Sequence, residues 1–469
     1  MQTQCAAAPV APLPFDPRLI AKYDGFGPRY TSYPTADRFN DDFRASHYAS
    51  VLHSPNTSRS AQPLSLYIHL PFCDTICYYC ACNKIITRNR GRSAQYVRYL
   101  EREIAIVGAL TEGDAPVSQL HWGGGTPTFL ARAEMSALMR SLRRRFRFAP
   151  DAEISIEVDP RKVEGDTIAF LAELGFNRIS VGIQDFDPAV QRAVNRIQSE
   201  AETRTVIDAA RAHGFVSVNA DLIYGLPRQS VHGFAATLDR VIAASPDRIA
   251  LYSYAHVPHL FKTQRQIASE ELPTPAVKLE ILALSIARFA EAGFVYIGMD
   301  HFAKPHDELA VAQRKRKLHR NFQGYSTRPD CDLLAFGISG IGKVGDAYVQ
   351  NVKMLDAYYD LLDAGTLPIM RGVALTPDDE LRRDVIQQLM CHFHLEFRSV
   401  ETAYEVHFTE YFAHELAALA LYVDDGIVTI SNESLAVTPI GRLLVRAVVM
   451  QFDRYASKAR ESARYSRMI

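Results

Sequence analysis

From residue 64 onward, short apolar runs alternate with amphipathic helical stretches, and this alternation constrains the fold more than any other feature of the chain. Residues 64–70, 119–122, 153–158, 178–183, 218–223, 248–252 and 294–299 have the length and content of strands. Between the first of them, residues 96–109 place Val97, Leu100, Ile104 and Val107 on one helical face. Residues 133–147 do the same with Met135, Leu138, Met139, Leu142 and Phe146, so both helices should pack on a sheet. Leu174-Gly175-Phe176, His213-Gly214-Phe215 and Ala292-Gly293-Phe294 each close a helical stretch, and a glycine there suits a left-handed cap. Serial strand–helix units imply an α/β fold with a parallel sheet, closed or partly closed into a barrel, whose function gathers at the carboxyl ends of the strands.

Two flanks differ from this region. Residues 1–50 are rich in Pro, Tyr and Gly, as in Phe26-Gly27-Pro28-Arg29-Tyr30, and show no sustained periodicity. They read as an ordered arm that packs near the mouth of a catalytic body at 51–370. Residues 371–469 form a separate small domain: helices at 379–393 and 408–421, a two-stranded ribbon at 427–430 and 435–438 and a last helix from Pro439 suggest a winged-helix-like, mostly helical arrangement. A DNA-binding role is a poor fit, because acidic residues lie among its arginines and no basic stripe forms.

Lys+Arg 52 against Asp+Glu 53 leaves a formal net charge of -1, so no whole-molecule field favours nucleic acid or a membrane surface. Met1 to Pro14 lacks the pattern of an export signal, and no long apolar stretch spans a bilayer, so a cytoplasmic location is expected.

Of seven cysteines, four crowd into 73–82, which suits metal chelation and not a disulfide framework. Cys5, Cys331 and Cys391 are scattered and read as incidental thiols, although Cys331 falls in a segment expected on the active-site side. Cys73, Cys77 and Cys80, spaced x3 and x2 in the loop after the first strand, can hold three irons of a 4Fe-4S cluster and leave the fourth iron open. A zinc site would need Cys82 as fourth ligand, but two cysteines separated by Ala81 alone seldom reach one tetrahedral ion. A small electron carrier is the other rival, and it needs no multi-unit barrel. Gly123-Gly124-Gly125 follows the second strand and removes side chains where a backbone must approach something closely. Glu157 ends the third strand, Gln184 follows the fourth and Asp221 is expected at the end of the fifth, a set of polar groups that suits a barrel site.

The cysteine loop and the glycine motif resemble those of radical S-adenosylmethionine enzymes. Cys80-Ala81-Cys82-Asn83-Lys84, Val181-Gly182-Ile183-Gln184-Asp185-Phe186, Asp221-Leu222-Ile223-Tyr224-Gly225-Leu226-Pro227 and Asn321-Phe322-Gln323-Gly324-Tyr325 narrow the likeness to the oxygen-independent coproporphyrinogen III oxidases, from about residue 23 to the C-terminus. That resemblance implies a partial or open barrel of the radical S-adenosylmethionine type. It also implies a reaction: oxidative decarboxylation of two propionates of coproporphyrinogen III to vinyl groups, giving protoporphyrinogen IX for haem synthesis. Carried over by motif, Cys73, Cys77 and Cys80 ligate the cluster. Tyr67, Tyr79, Gly124, Gly125, Thr126, Glu157, Gln184, Arg196 and Asp221 bind S-adenosylmethionine, and Ala255 and Ile341 line a second position for the same molecule. Cys82, His69 and Tyr67 are catalytic candidates, and Arg29 and Gln323 are candidates for the substrate's propionates. An electron donor such as a flavodoxin or ferredoxin is implied, as is a monomer. A haem-binding or haem-trafficking relative without decarboxylase activity is the nearest alternative, and Cys82 and the long arm argue against it. A zinc-stabilised winged-helix regulator is the alternative of another class.

Overall fold

The computed structural model describes residues 10–53, 62–111, 115–328, 331–456 and 467; Cys5 and most of the Met1 to Pro14 segment lie outside them. The seven expected runs all form strands: Leu64–Leu70 (β1), Val117–Gly124 (β2), Phe148–Val158 (β3), Arg178–Gln184 (β4), Ser217–Tyr224 (β5), Arg248–Ser253 (β6) and Val295–Gly298 (β7). The sheet also takes in His301–Ala303 (β8), Asp332–Phe336 (β9), Ile341–Val344 (β10), Ala347–Asn351 (β11) and Ile369–Ala374 (β12). β1 to β6 lie side by side in chain order and all run parallel.

The seventh run does not extend this series. Gly298, Met299 and Asp300 all have positive φ and turn the chain tightly into β8, and so short a connection joins only antiparallel neighbours. β8 pairs antiparallel with β6. At the other edge, β9 adds parallel to β1 and is extended antiparallel by β10, β11 and β12. The strand order therefore has two ends, and the barrel is open.

Burial in β1 to β6 follows a period of two. Leu66 and Ile68, Leu120 and Trp122, Ile154 and Ile156, Ile179 and Val181, and Val218 and Ala220 are buried on one face, against the helices. The alternate positions carry Gln119, His121, Ser155, Ser180, Asn219 and Tyr252, which turn inward and line a single cavity of about 190 Å³. Residues from five adjacent strands can border one cavity only if the sheet curves around it.

The helix Gly91–Leu110 buries Tyr96, Val97, Leu100, Ile104 and Val107, the face expected from its periodicity. Each such side chain contributes about 1.5–3 kcal/mol relative to exposure. The next helix, Arg132–Arg145, stops two residues short of expectation, because Phe146 is extended and Arg147 accepts an amide from Val117 on its way into β3. Gly175, Gly214 and Gly293 have φ of +96°, +78° and +80°, which confirms the left-handed caps.

Beyond β12, the helix Pro377–His392 opens a second apolar core with its own three-stranded sheet of His394–Glu396, Val428–Ile430 and Ser434–Val437. The single helix expected at 408–421 is three short ones, Phe408–Tyr411, Ala413–Ala418 and Ala420–Asp424. The breaks fall at Phe412 and Leu419, both fully buried, so packing has overridden the helical pattern. This core also holds Ile20, Tyr30 and Tyr33 from the N-terminal arm. The arm contains two helices that its composition does not reveal, Pro17–Tyr23 and Ala45–Leu52. The first is capped by Asp16, whose carboxylate accepts the Arg18 amide at 2.8 Å.

Candidate active site

After β1 the chain leaves regular structure for the cysteine loop, whose backbone groups are satisfied mostly by side chains from elsewhere. Asn195 donates to the Ile76 carbonyl at 2.7 Å, Gln264 to that of Tyr79 at 3.1 Å, and Lys84 and Thr263 to that of Cys80 at 2.7 and 3.1 Å. A short parallel pair, Phe72–Cys73 with Ile85–Ile86, closes the base of the loop. These ties hold an irregular segment in one conformation.

Cys73, Cys77, Cys80 and Cys82 line one cavity of about 180 Å³ together with Tyr79, Gly124, Gly125, Thr126, Glu157, Gln184, Arg196 and Asp221. Twelve expected site residues thus meet at one place, although they come from six separate stretches of chain. Asp221 sits three residues inside β5 and not at its end, since Ile223 and Tyr224 still pair with Tyr252 and Ser253 of β6.

The cavity has two differently built sides. On the thiol side, the Cys77 sulfur lies 3.7 Å from guanidinium nitrogens of both Arg161 and Arg196, and Thr126 donates to Cys73 at 3.4 Å. Burial pushes the Cys73 thiol up to about 11, whereas a hydrogen bond from Cys82 and the nearby Lys84 outweigh burial and lower that of Cys80. At Cys80 the balance favours thiolate, and closely set sulfurs with cationic neighbours suit a sulfur-ligated metal group. Among the described residues no trio of His, Cys, Asp or Glu closes around a single ion, as the zinc reading requires. Arg196 is buried, donates to the Gly182 carbonyl at 2.7 Å, and keeps its Nε without a partner on the wall of the cavity. That unsatisfied donor fits a site built for a polar ligand.

On the glycine side, the Gly124 amide donates to Glu157 at 3.1 Å, and His121 Nε2 lies 3.3 Å from the same carboxylate. Burial would raise the Glu157 carboxyl, but His121 and the Gly124 amide hold it below the ordinary range. A β-carbon at Gly125 would stand 2.6 Å from the Pro71 carbonyl carbon, and one at Gly124 would stand 2.5 Å from the His69 ring. Both positions therefore require glycine. Asp221 accepts from Ser180 at 2.6 Å and Asn219 at 2.8 Å, and burial raises its carboxyl to about 6. Glu157, Ser180 and Asp221 also border the inner chamber, so the two cavities share a wall.

Tyr67 and His69 stand beside that wall. The Tyr67 ring stacks on His121 with centroids 5.9 Å apart, and His69 hydrogen-bonds the Asn83 carbonyl at 2.8 Å. Gln323 lines the inner chamber, where its side-chain nitrogen has no partner. Arg29 pairs with Asp300 from the arm. Ala255 accepts from Gln264 at 3.2 Å and Ile341 packs near Phe39 and Tyr348; neither borders the two cavities. Cys331 lies 3.2 Å from Ser118, at the amino ends of β2 and β9, so it is at the end of the barrel opposite to the one expected. Cys391 is buried, which pushes its thiol up to about 12.

Sequence reasoning missed His121, Ser155, Ser180, Asn219, Tyr252 and His301 as chamber residues. For the first five, the signal is a polar residue at alternate positions of an apolar run; His301 lies beyond the last run, in β8, and has no such signal.

A Radical SAM superfamily model matches residues 67–241, and a HemN C-terminal domain model matches 375–444. The oxygen-independent coproporphyrinogen III oxidase of Escherichia coli (strain K12) is 49% identical over 460 residues, covering 98% of this chain and 100% of its own. That of Pseudomonas aeruginosa is 48% identical over 458 residues, covering 97% and 99%. The solved structure described as "Coproporphyrinogen III oxidase (HemN) from Escherichia coli is a Radical SAM enzyme" superposes with a TM-score of 0.90 at 47% identity, covering 95% of this chain and 100% of that one.

Proposed function

Since the chain belongs to the oxygen-independent coproporphyrinogen III oxidases of the radical S-adenosylmethionine superfamily, we propose that its two adjoining cavities divide the reaction between cofactor and substrate. The activity is oxidative decarboxylation of coproporphyrinogen III in haem biosynthesis, with a 4Fe-4S cluster and S-adenosylmethionine as cofactors. When bound, these cofactors would supply a radical able to take a hydrogen atom from a propionate β-carbon; loss of carbon dioxide would then leave a vinyl group and one electron for an external one-electron acceptor, in each of two rounds.

The residues divide the work as follows. Cys73, Cys77 and Cys80 hold the cluster, and Arg161 and Arg196 offset the charge of its sulfurs. The bare backbone at Gly124 and Gly125, with Thr126 and Glu157, receives the methionine portion of S-adenosylmethionine, while Tyr79, Gln184, Arg196 and Asp221 enclose the rest. Tyr67 contributes from the strand before the loop. Ala255 and Ile341 are assigned to a second molecule of the cofactor by the family likeness alone. The substrate's carboxylates face Arg29 and Gln323, and Tyr67, His69 and Cys82 are the side chains assigned to the reacting end. Residues 1–50 act as an arm, 51–370 as the catalytic body and 371–469 as a covering domain.

The observation that carries this reading is the meeting of three thiols, a glycine backbone and a buried arginine, one of whose nitrogens has no partner, in one cavity. No helix among the described residues is long and apolar enough to cross a membrane. A cytoplasmic monomer served by a small electron-carrier protein, with no nucleic-acid or membrane partner, completes the proposal. Full-length relatives bearing the oxidase name leave no support for the haem-trafficking or zinc-regulator alternatives.

Anaerobic reconstitution followed by product analysis tests it. Wild-type protein should take up iron and sulfide and convert coproporphyrinogen III, and Cys73→Ala, Cys77→Ala or Cys80→Ala should each lose iron and cofactor cleavage together. Cys82→Ala should keep its iron. Equal iron retention in all four variants overturns the ligand assignment.

A further inference from the structure

An electron must reach the thiol cavity from outside, and the surface beside Cys73 has an unusual composition. Ile86 pairs directly with Cys73 and is 40% exposed, a large apolar side chain left in solvent next to a proposed cluster ligand. The Thr87 amide donates to the Cys73 carbonyl at 3.0 Å, and the chain then runs through Arg88, Arg90 and Arg92, all exposed. Arg90 reaches Asp74 at 3.3 Å and Lys162 reaches it at 3.9 Å, so that carboxylate is already neutralised. Asp74 and Lys162 themselves border the thiol cavity.

Arg90 also stacks over the Phe129 ring at 3.8 Å and donates to the Phe129 carbonyl, but helix stability does not account for Arg88 and Arg92. Arg90 stands at the N-cap and Arg92 in the first turn of the helix Gly91–Leu110, which has no acidic residue in that turn; the Gly91 amide is taken by the Asn89 side chain at 2.9 Å and not by Arg90. Positive charge at a helix N-terminus opposes the macrodipole. Among the described residues neither Arg88 nor Arg92 is in an ion pair, so both charges are left to the solvent. An apolar centre inside a charged rim is the build of a transient docking surface, and local rules are broken where function demands it.

We infer that Ile86, Arg88, Arg90, Arg92 and Lys162 form the docking surface for an acidic one-electron carrier protein that reduces the cluster. The inference rests on the cluster assignment above. In each encounter the carrier is oxidised by one electron and the cluster gains that electron; no other group changes. Long-range attraction of this kind raises the encounter rate and weakens with salt.

The test uses reconstituted full-length enzyme and a purified flavodoxin, fully reduced to the hydroquinone, as probe. Arg88→Glu/Arg92→Glu should slow flavodoxin-driven cluster reduction, read by the bleaching of its visible absorption, at least tenfold and abolish the salt dependence. Reduction of the same variant by dithionite should match wild type. Because glutamate suits a helix N-terminus, the substitution should not unfold the helix. Lys315→Glu/Lys317→Glu, an equal charge change beyond the far edge of the sheet, should leave the flavodoxin rate unchanged. A flavodoxin rate in Arg88→Glu/Arg92→Glu equal to wild type, or equal losses in both double variants, overturns the docking site. Failure of dithionite to reduce the wild-type protein would instead count against the cluster assignment.

Discussion

Tyr67 and His69 are bonded to each other two residues apart on β1, the tyrosine hydroxyl 3.1 Å from His69 Nδ1. Burial lowers the His69 pKa, so the ring is neutral, and its Nε2 proton is committed to the Asn83 carbonyl. Nδ1 is then an acceptor, and the tyrosine must donate. Tyr67→Phe removes that donor while leaving the stacking ring. Losing one such bond to a buried acceptor costs about 1–3 kcal/mol, so product formation should fall about tenfold or more with iron content unchanged. Steady-state assays beside iron analysis check this; unchanged turnover would remove the pair from the reacting end.

Gly125→Ala should cost the protein its iron. The added methyl would lie within 2.7 Å of the Pro71 and Phe72 carbonyl oxygens, which are backbone atoms at the root of the cysteine loop. Overpacking of this kind destabilises by about 1–3 kcal/mol, and the loop must shift to relieve it. Iron titration after reconstitution, with thermal melts of the apo-protein, separates loss of the site from loss of the fold.

Retention of S-adenosylmethionine should weaken in mild acid. The Asp221 carboxyl is raised to about 6 by burial, against the bonds from Ser180 and Asn219. Above that value it is a carboxylate able to accept from the bound cofactor; below it the proton removes an acceptor. Affinity should therefore drop by up to about tenfold for each pH unit below 6. In Asp221→Asn, equilibrium dialysis should show weaker binding that no longer changes across this range.

Stability should decline as pH rises through neutrality, and Glu103 is a source of the effect. Its carboxyl is raised by burial to about 7 from an ordinary 4.5, although Tyr358, the Gly337 amide and Asn351 all donate to it. The folded state binds the proton more tightly than the unfolded one, so the contribution is full below about 4.5 and is lost as pH rises through 7. The whole change is at most on the order of 3 kcal/mol. Glu103→Gln should flatten denaturant midpoints measured between these limits; an unaltered slope would assign the dependence to other groups.

How far the site could be read from the chain depended on locality. The thiols and the triple glycine are short contiguous patterns, and the apolar runs place them at the ends of neighbouring strands. The inner chamber was missed because β1 to β6 were read as apolar runs, whereas His121, Ser155 and Asn219 sit at alternate positions that only a curved sheet turns toward one another. Cys331 was misplaced because β9 returns to pair with β1 across more than 260 residues, a topology that no local pattern encodes. The arm's helices were hidden among prolines and tyrosines, and its partner surface belongs to the opposite end of the chain.

That last contact sets an order of events during synthesis. Tyr30 donates to Asp453 at 2.9 Å, Arg446 grips the Pro28 carbonyl at 3.0 Å, and the Arg454 amide reaches Tyr33. A nascent chain emerges from its N-terminal end, so these arm residues wait for more than four hundred others before they can dock. Until then the arm is held only by earlier partners such as Asp300 and Arg320 at Arg29, and its flanking residues are fastened last.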